Sequence, residues 1–217
     1  MANVIVKPIG KIDYQQCWLS MKEFTEQRTS ETPDELWLVE HDPVFTLGLA
    51  GKEEHILIKD HDIPIIRTDR GGQVTYHGPQ QIIIYLLIDI KRLGLSIREL
   101  VTRIENGVIN YLASLGIEAY GDRDAPGVYV AGKKIASLGL KIRKGCSYHG
   151  LSFNFNLDKT PFSYINPCGY AGLQVVNLCE LIANQLEMND QATKLADALA
   201  ENIYKYILEQ IRNTSRR

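Results

Sequence analysis

Apolar positions along this chain recur with two different periods, and the switches between them mark out the elements. After Asp13, residues Tyr14, Cys17, Trp18 and Met21 fall at helical spacing and predict a first helix. The pattern then turns strand-like over 36–40, 44–47, 63–68, 73–76 and 81–90. Ser96-Ile97-Arg98-Glu99 is a capping-box signature. It opens a helix whose Ile97, Leu100, Val101, Ile104, Val108, Tyr111, Leu112 and Leu115 share one apolar face, and Gly116 ends it.

A second group of strands is predicted over 117–120, 127–131, 134–143 and 147–157. In the last, Leu151, Phe153, Phe155 and Leu157 alternate with Ser152, Asn154 and Asn156, so one face is buried and the other polar. Two helices close the chain, at 178–185 and 191–212, the second carrying Leu195, Leu199, Ile203, Tyr206 and Ile207. Strands outnumber helices and often follow one another directly. The expected class is therefore α+β, a mixed or largely antiparallel sheet flanked by helices. No repeat, low-complexity block or linker interrupts the pattern, so residues 1–217 are expected to form a single domain.

Composition changes this picture little. At 217 residues, 45% hydrophobic and 23% charged, the chain has enough material for a substantial core. A net charge of −2 gives no reason to expect nucleic acid or a membrane surface as partner. The longest apolar run, 82–88, is far short of a membrane span. The start of the chain lacks the layout of a signal peptide, so a cytoplasmic location is expected. The cysteines, Cys17, Cys146, Cys168 and Cys179, show no paired or zinc-type spacing, and free thiols are the expectation. Cys17 sits on the first helical stripe and Cys179 in a short helix, which reads as buried filler. Cys146, at a strand start after Lys144-Gly145, is ambiguous.

Only Cys168 lies in turn chemistry, within Asn166-Pro167-Cys168-Gly169-Tyr170-Ala171-Gly172. Proline fixes one backbone angle and glycine permits unusual ones, so such a thiol points somewhere specific. Upstream, Gly132-Lys133-Lys134-Ile135-Ala136-Ser137-Leu138-Gly139 opens a strand with a lysine. Alternation places Lys134 opposite Ile135 and with Ala136, Leu138 and Leu140, which predicts a partly desolvated amine. Lys133, Lys141 and Lys144 read as solvated. A thiol beside an ammonium group suits acyl transfer through a thioester.

Arg70-Gly71-Gly72-Gln73-Val74-Thr75-Tyr76-His77-Gly78-Pro79 lies between two strands. It reads equally as a loop that presents backbone amides to a ligand and as a bulged hairpin. Tyr-His-Gly occurs at 76–78 and again at 148–150, both at strand edges. His77 and His149 either converge on one pocket as donors or proton carriers, or are satisfied structural groups. His41, His55 and His61 read as surface or turn residues, with Glu40-His41-Asp42-Pro43 alternatively lining the same edge as His77 and His149. The stretch 127–134 has the glycine–lysine spacing of a phosphate loop, but lysine stands where Ser or Thr is required and Val-Tyr-Val fills its middle. It predicts a strand and no nucleotide site.

Taken together, these blocks resemble the lipoyl(octanoyl) transferases, which move octanoyl groups from acyl carrier protein to lipoyl domains. The resemblance runs from Glu40-His41 to Asn177 and is strongest over 70–79, 132–139, 148–154 and 166–172. Gln80 stands where that family usually has glycine, and Asn177 where Thr or Ser commonly caps the next helix. The resemblance implies a fold shared with biotin and lipoate protein ligases, with an acyl pocket beside the sheet. It implies Cys168 as the acyl-accepting nucleophile and Lys134 as its partner. Implied substrate contacts are Arg70, Gly71, Gly72, Gln73, Val74, Thr75, Tyr76, His77, Ser137, Leu138, Gly139, His149, Gly150, Leu151 and Ser152.

Implied partners are octanoyl-acyl carrier protein as donor, with lipoyl domains of 2-oxoacid dehydrogenase complexes and the glycine cleavage H protein as acceptors. No metal or cofactor is implied, because thioester to amide is downhill. An ordinary thiol titrates at about 8.5, and an adjacent ammonium is expected to bring it toward ~7. Lys134 then serves as base toward the incoming amine. Backbone N–H groups near Gly71-Gly72 or Leu138-Gly139 are expected oxyanion donors. The rival readings are an ATP-dependent lipoate or biotin ligase, an octanoyl amidotransferase between lipoyl-type proteins, and a non-catalytic acyl-protein binding module.

Overall fold

The computed structural model describes residues 4–58, 61–183 and 185–214, with side chains as far as residue 204. The chain begins with β1 (Val4–Lys11), then α1 (Tyr14–Gln27), β2 (Asp34–Glu40), β3 (Val44–Leu47), β4 (Ile65–Arg67), β5 (Val74–His77) and β6 (Gln81–Leu87). After α2 (Ile97–Ser114) come β7 (Tyr120–Gly121), β8 (Gly127–Val130), β9 (Lys133–Arg143) and β10 (Cys146–Asn154), and α3 (Met188–Thr214) closes the fold. Seven strands form the main sheet in the order β1-β2-β6-β10-β9-β8-β7, and β4-β3-β5 form a small one. Two pairs are parallel, β1–β2 and β3–β4; the other pairs run antiparallel. The expected α+β class with a mixed, largely antiparallel sheet is what the chain forms.

The helix starts follow their local signals. Asp13 accepts from the Gln16 amide at 2.9 Å, and Ser96 and Glu99 make the reciprocal capping box. Cys17 and Met21 from α1 pack on Trp37, Val39, Ile83, Tyr85, Leu87 and Tyr148, on one face of the main sheet. The alternate residues Leu36, Leu38, Ile82, Ile84 and Leu86 face the other way, into the larger core under α2 and α3. Strand periodicity therefore divides β2 and β6 between two cores, which is why both read as continuous apolar runs. A third cluster joins Phe45, Val74 and Tyr76 of the small sheet to Leu157, Phe162 and Ile165.

Several boundaries differ from the pattern. No strand was expected at the start of the chain, yet β1 pairs in parallel with β2 at the sheet edge. Pro8 and Gly10 obscured it; an edge strand tolerates both at a register shift. The helix expected at 178–185 is a single 3-10 turn, Leu178–Glu180, although Asn177 and Glu180 still form its capping box; residue 184 of that span lies outside the described residues. The strand expected at 117–120 reduces to the pair in β7. Tyr206 and Ile207 lie outside the described side chains. Among the described residues, no helix is long and apolar enough to cross a membrane.

Candidate active site

Two irregularities in neighbouring strands turn the chemistry of the sheet toward one cavity. Between β8 and β9 the register slips, Val128 opposing Ala136 and Tyr129 opposing Lys134, so Ile135 is an extra residue. Ile135 and Ala136 consequently both enter the core under α2. The slip separates Lys134 from Ala136, which faces the core, a correction to simple alternation, while Lys134, Ser137, Leu138 and Leu140 all line one cavity. In β10, His149 has φ 59°, and the pairing with β6 is interrupted there. Its ring stacks on Tyr148 at 5.0 Å, which puts two successive side chains on one side.

The Cys168 turn meets Lys134 at this wall. Pro167–Gly169 is a single 3-10 turn in which Cys168 takes the left-handed values φ 57° and ψ 14°. Lys134 Nζ lies 3.4 Å from Cys168 Sγ and donates to Pro126 O at 3.1 Å. It also lies 5.1 Å from the centroid of the Tyr129 ring. Lys134 is 1% exposed, so the amine is desolvated as expected. Burial opposes its charge, but the Cys168 sulfur and Tyr129 outweigh burial and raise its pKa above the ordinary lysine value.

Beside the pair is a cavity of about 360 Å³, within the range of small-ligand pockets. Of the predicted residues, Arg70, Gly71, Gly72, Gln73, Val74, Thr75, His77, Lys134, Ser137, Leu138, Gly139, His149, Gly150, Leu151, Ser152 and Cys168 line it. Tyr76 does not. Alternation sends its ring into the small-sheet core, edge-on to Phe162 at 5.6 Å. Arg70 lines the cavity, but its guanidinium is occupied in shaping the glycine loop. It donates to Thr46 Oγ1, Thr46 O, Gly71 O and Gln73 O, and no carboxylate faces it among the described residues. Gly71 N–H is bonded to Leu140 O at 2.9 Å, which removes it from the expected oxyanion donors.

The histidines sort themselves by their partners. His77 Nδ1 donates to Gln81 Oε1 at 2.9 Å, and burial pushes its pKa down to about 3. That leaves a neutral donor, not the proton carrier considered from sequence. His149 Nε2 donates to Asp69 Oδ1 at 2.9 Å, while its Nδ1 has no partner and is buried at the cavity wall. Burial opposes the charge on Asp69, but His149, Tyr148 and Trp18 donate to it and hold its carboxyl well below the ordinary range. His41 is no surface residue: at 0% exposure it donates from Nδ1 to Ile12 O and accepts from Tyr85 OH at Nε2, each at 2.7 Å. His55 and His61 are half-buried, and His55 Nε2 lies beside Gly169 of the cysteine turn.

The remaining thiols are structural. Burial pushes Cys17 up to about 12 and also raises Cys146 and Cys179. Pattern reading missed Tyr14, Asp69, Tyr85, Glu105, Pro126, Tyr129 and Tyr170. Asp69 stood one residue before a singled-out loop and was the most accessible of these signals. Among the described residues, no group of three or more His, Cys, Asp or Glu side chains is placed to hold a metal ion.

Comparison with known proteins adds the following. The lipoyl protein ligase A/B catalytic domain family matches residues 13–200. Octanoyltransferases from Chromobacterium violaceum and Nitrosomonas europaea are both 55% identical, over 92% and 94% of this chain and 95% and 98% of theirs. Among solved structures, lipoate-protein ligase A bound with ATP superposes with a TM-score of 0.74 at 15% identity, over 94% of this chain and 85% of that one. A bipartite lipoate protein ligase from Thermoplasma acidophilum, studied with its E2 lipoyl domain, gives 0.72 at 15% identity, over 95% and 84%. Biotin protein ligase from Aquifex aeolicus gives 0.57 at 13%, over 95% and 72%. These structures are similar in fold alone.

Proposed function

This chain belongs to the family of lipoyl protein ligase A/B catalytic domains and is an acyltransferase of the octanoyltransferase kind, and we propose that it carries the octanoyl group as a thioester on Cys168. The observation that carries this reading is the 3.4 Å approach of Lys134 Nζ to Cys168 Sγ at the wall of an apolar-lined cavity. Residues 1–217 act as one catalytic domain.

In the first step the Cys168 thiolate attacks the octanoyl thioester of the acyl carrier protein. The new carbon–sulfur bond forms as the bond to the carrier's sulfur breaks, and the Lys134 ammonium protonates the leaving thiolate. In the second step the neutral amine of a lipoyl-domain lysine, or of the H protein, attacks the Cys168 thioester. The amide forms, the Cys168 sulfur leaves, and Lys134 takes the amine's proton, which restores the ion pair. The raised pKa of Lys134 in the resting site fits the first role. Loss of the thiolate on acylation removes its counter-charge and fits the second. With Gly71 N–H committed, the Gly72 amide and the Leu138 edge of β9, beyond the β8 pairing that ends at Gly127–Ser137, are the remaining oxyanion candidates.

The test is intact-mass analysis after mixing the chain with octanoyl-acyl carrier protein. One octanoyl increment is expected on Cys168, discharged by a lipoyl domain, and absent from Cys168→Ala. An unmodified mass during turnover, or activity only with free octanoate and ATP, overturns the reading in favour of a ligase.

A further inference from the structure

We propose that Glu105, on the side of α2 facing the start of β8, is a positioning residue for the transfer: it grips the peptide group that holds the Lys134 ammonium. The proposal rests on the Cys168–Lys134 reading above. Gly127 N–H donates to Glu105 Oε1 at 2.9 Å, and Pro126 O accepts from Lys134 Nζ at 3.1 Å. These two atoms belong to one peptide unit. Because that unit is planar, a carboxylate anchoring its N–H fixes the direction of its C=O. A carboxylate on one end and an ammonium on the other also polarise the amide between them, so each bond strengthens its neighbour.

The packing on the other side of this peptide is close. Gly127 has φ +145°, and a Cβ there would lie 2.5 Å from Ala136 O, 3.0 Å from Lys134 Cε and 3.2 Å from its Nζ. The lysine thus lies flat against bare backbone. Tyr129 OH donates to Ala125 O at 2.7 Å, and Tyr170 OH, from the cysteine turn, donates to Asp124 O at 3.2 Å. Glu105 joins this loop to the helix layer from the opposite side. Charged or titratable groups facing the assembly are Tyr129 from β8, Asp122 from the loop, Cys168 from its turn and Arg70 from the glycine loop. Burial raises the pKa of Glu105, and the charge on Lys134 counters this in part.

Two effects of removing this carboxylate have opposite signs, which makes the proposal testable. Loss of the anchor lets the ammonium drift from Cys168, whereas loss of negative charge alone favours the thiolate. The measurement is the pH profile of iodoacetamide alkylation, read at Cys168 by peptide mass on the full chain, beside kcat and KM for transfer. Glu105→Met removes anchor and charge. We expect its alkylation rise to move about one pH unit higher, hence about tenfold slower labelling at pH 7, with kcat lowered and KM for the donor unchanged. Glu105→Gln keeps an acceptor, and its profile is expected to stay within about twofold of the parent or move slightly lower. A Glu105→Met profile at or below the parent's overturns the proposal.

The unsubstituted chain supplies a second measurement that needs no variant to fold. Its Gly127 amide is expected to exchange slowly with solvent and to shift as Glu105 titrates. An amide exchanging as freely as an open loop overturns the proposal. Neither alkylation nor exchange uses an octanoyl donor, so failure of the transfer reading and failure of this one are distinguishable.

Discussion

Cys168 occupies a left-handed backbone conformation that costs a non-glycine residue about 1–3 kcal/mol. The turn holds it there because Asn166 N bonds to His55 O at 2.8 Å and Gly169 N to Asn166 O at 2.9 Å. The role proposed for this thiol and the stability of its turn are therefore opposed at this position. Cys168→Gly is expected to raise stability by about 1 kcal/mol while abolishing transfer, read as a higher denaturant midpoint with no octanoyl adduct. An unchanged or lower midpoint would show that the cysteine is not strained. This residue was visible in sequence because turn formers flank a lone thiol. His41 was not: Glu40-His41-Asp42-Pro43 looks like a surface turn, and only the approach of Ile12 and Tyr85 from distant segments makes its ring a buried bridge.

At the level of elements, side-chain direction was decided by irregularities that periodicity does not announce. The extra residue Ile135 lets two successive apolar side chains face the core and frees Lys134 for the cavity. The turn before β6 shows a milder conflict. Gln80 has φ 65°, where glycine is at ease, and is held by its N–H to Glu40 Oε1 at 3.0 Å and its carbonyl to Asn156 N at 3.0 Å. Gln80→Gly keeps both backbone bonds and is expected to add up to about 1 kcal/mol of stability with transfer unchanged. Chemical denaturation with an activity assay checks it, and a loss of stability would mean the glutamine side chain has a role of its own. The hairpins Ala131-Gly132 and Lys144-Gly145 have positive φ at both turn residues, so their registers are fixed locally.

Across the whole molecule, the site lies where the main sheet, the small sheet and the loops before β8 and after β10 converge, and its buried imidazoles set an acid limit on the fold. Burial depresses the pKa of His77 to about 3 and lowers His41 and His149 from the ordinary 6.5. A depressed folded pKa means that the unfolded chain takes up more protons. The stabilisation is therefore complete above about pH 6.5 and is lost as pH falls, for His77 as far as about pH 3 and by up to ~1.4 kcal/mol per pH unit, with His41 and His149 acting in the same direction. Urea midpoints are expected to fall from pH 7 to pH 5, less steeply in His77→Gln; equal midpoints at the two pH values would refute this. The sequence by itself determined the α+β class, the helix caps and the placing of Cys168 on a turn, because each follows from local pattern within a few residues. Tertiary structure alone decided that Lys134 and Ala136 face opposite ways, that Tyr76 leaves the cavity, that Arg70 serves its own loop and that Glu105 reaches the lysine's peptide. Those outcomes depend on strand register and on partners far apart in the chain, and a one-residue shift in register reverses which face a side chain occupies.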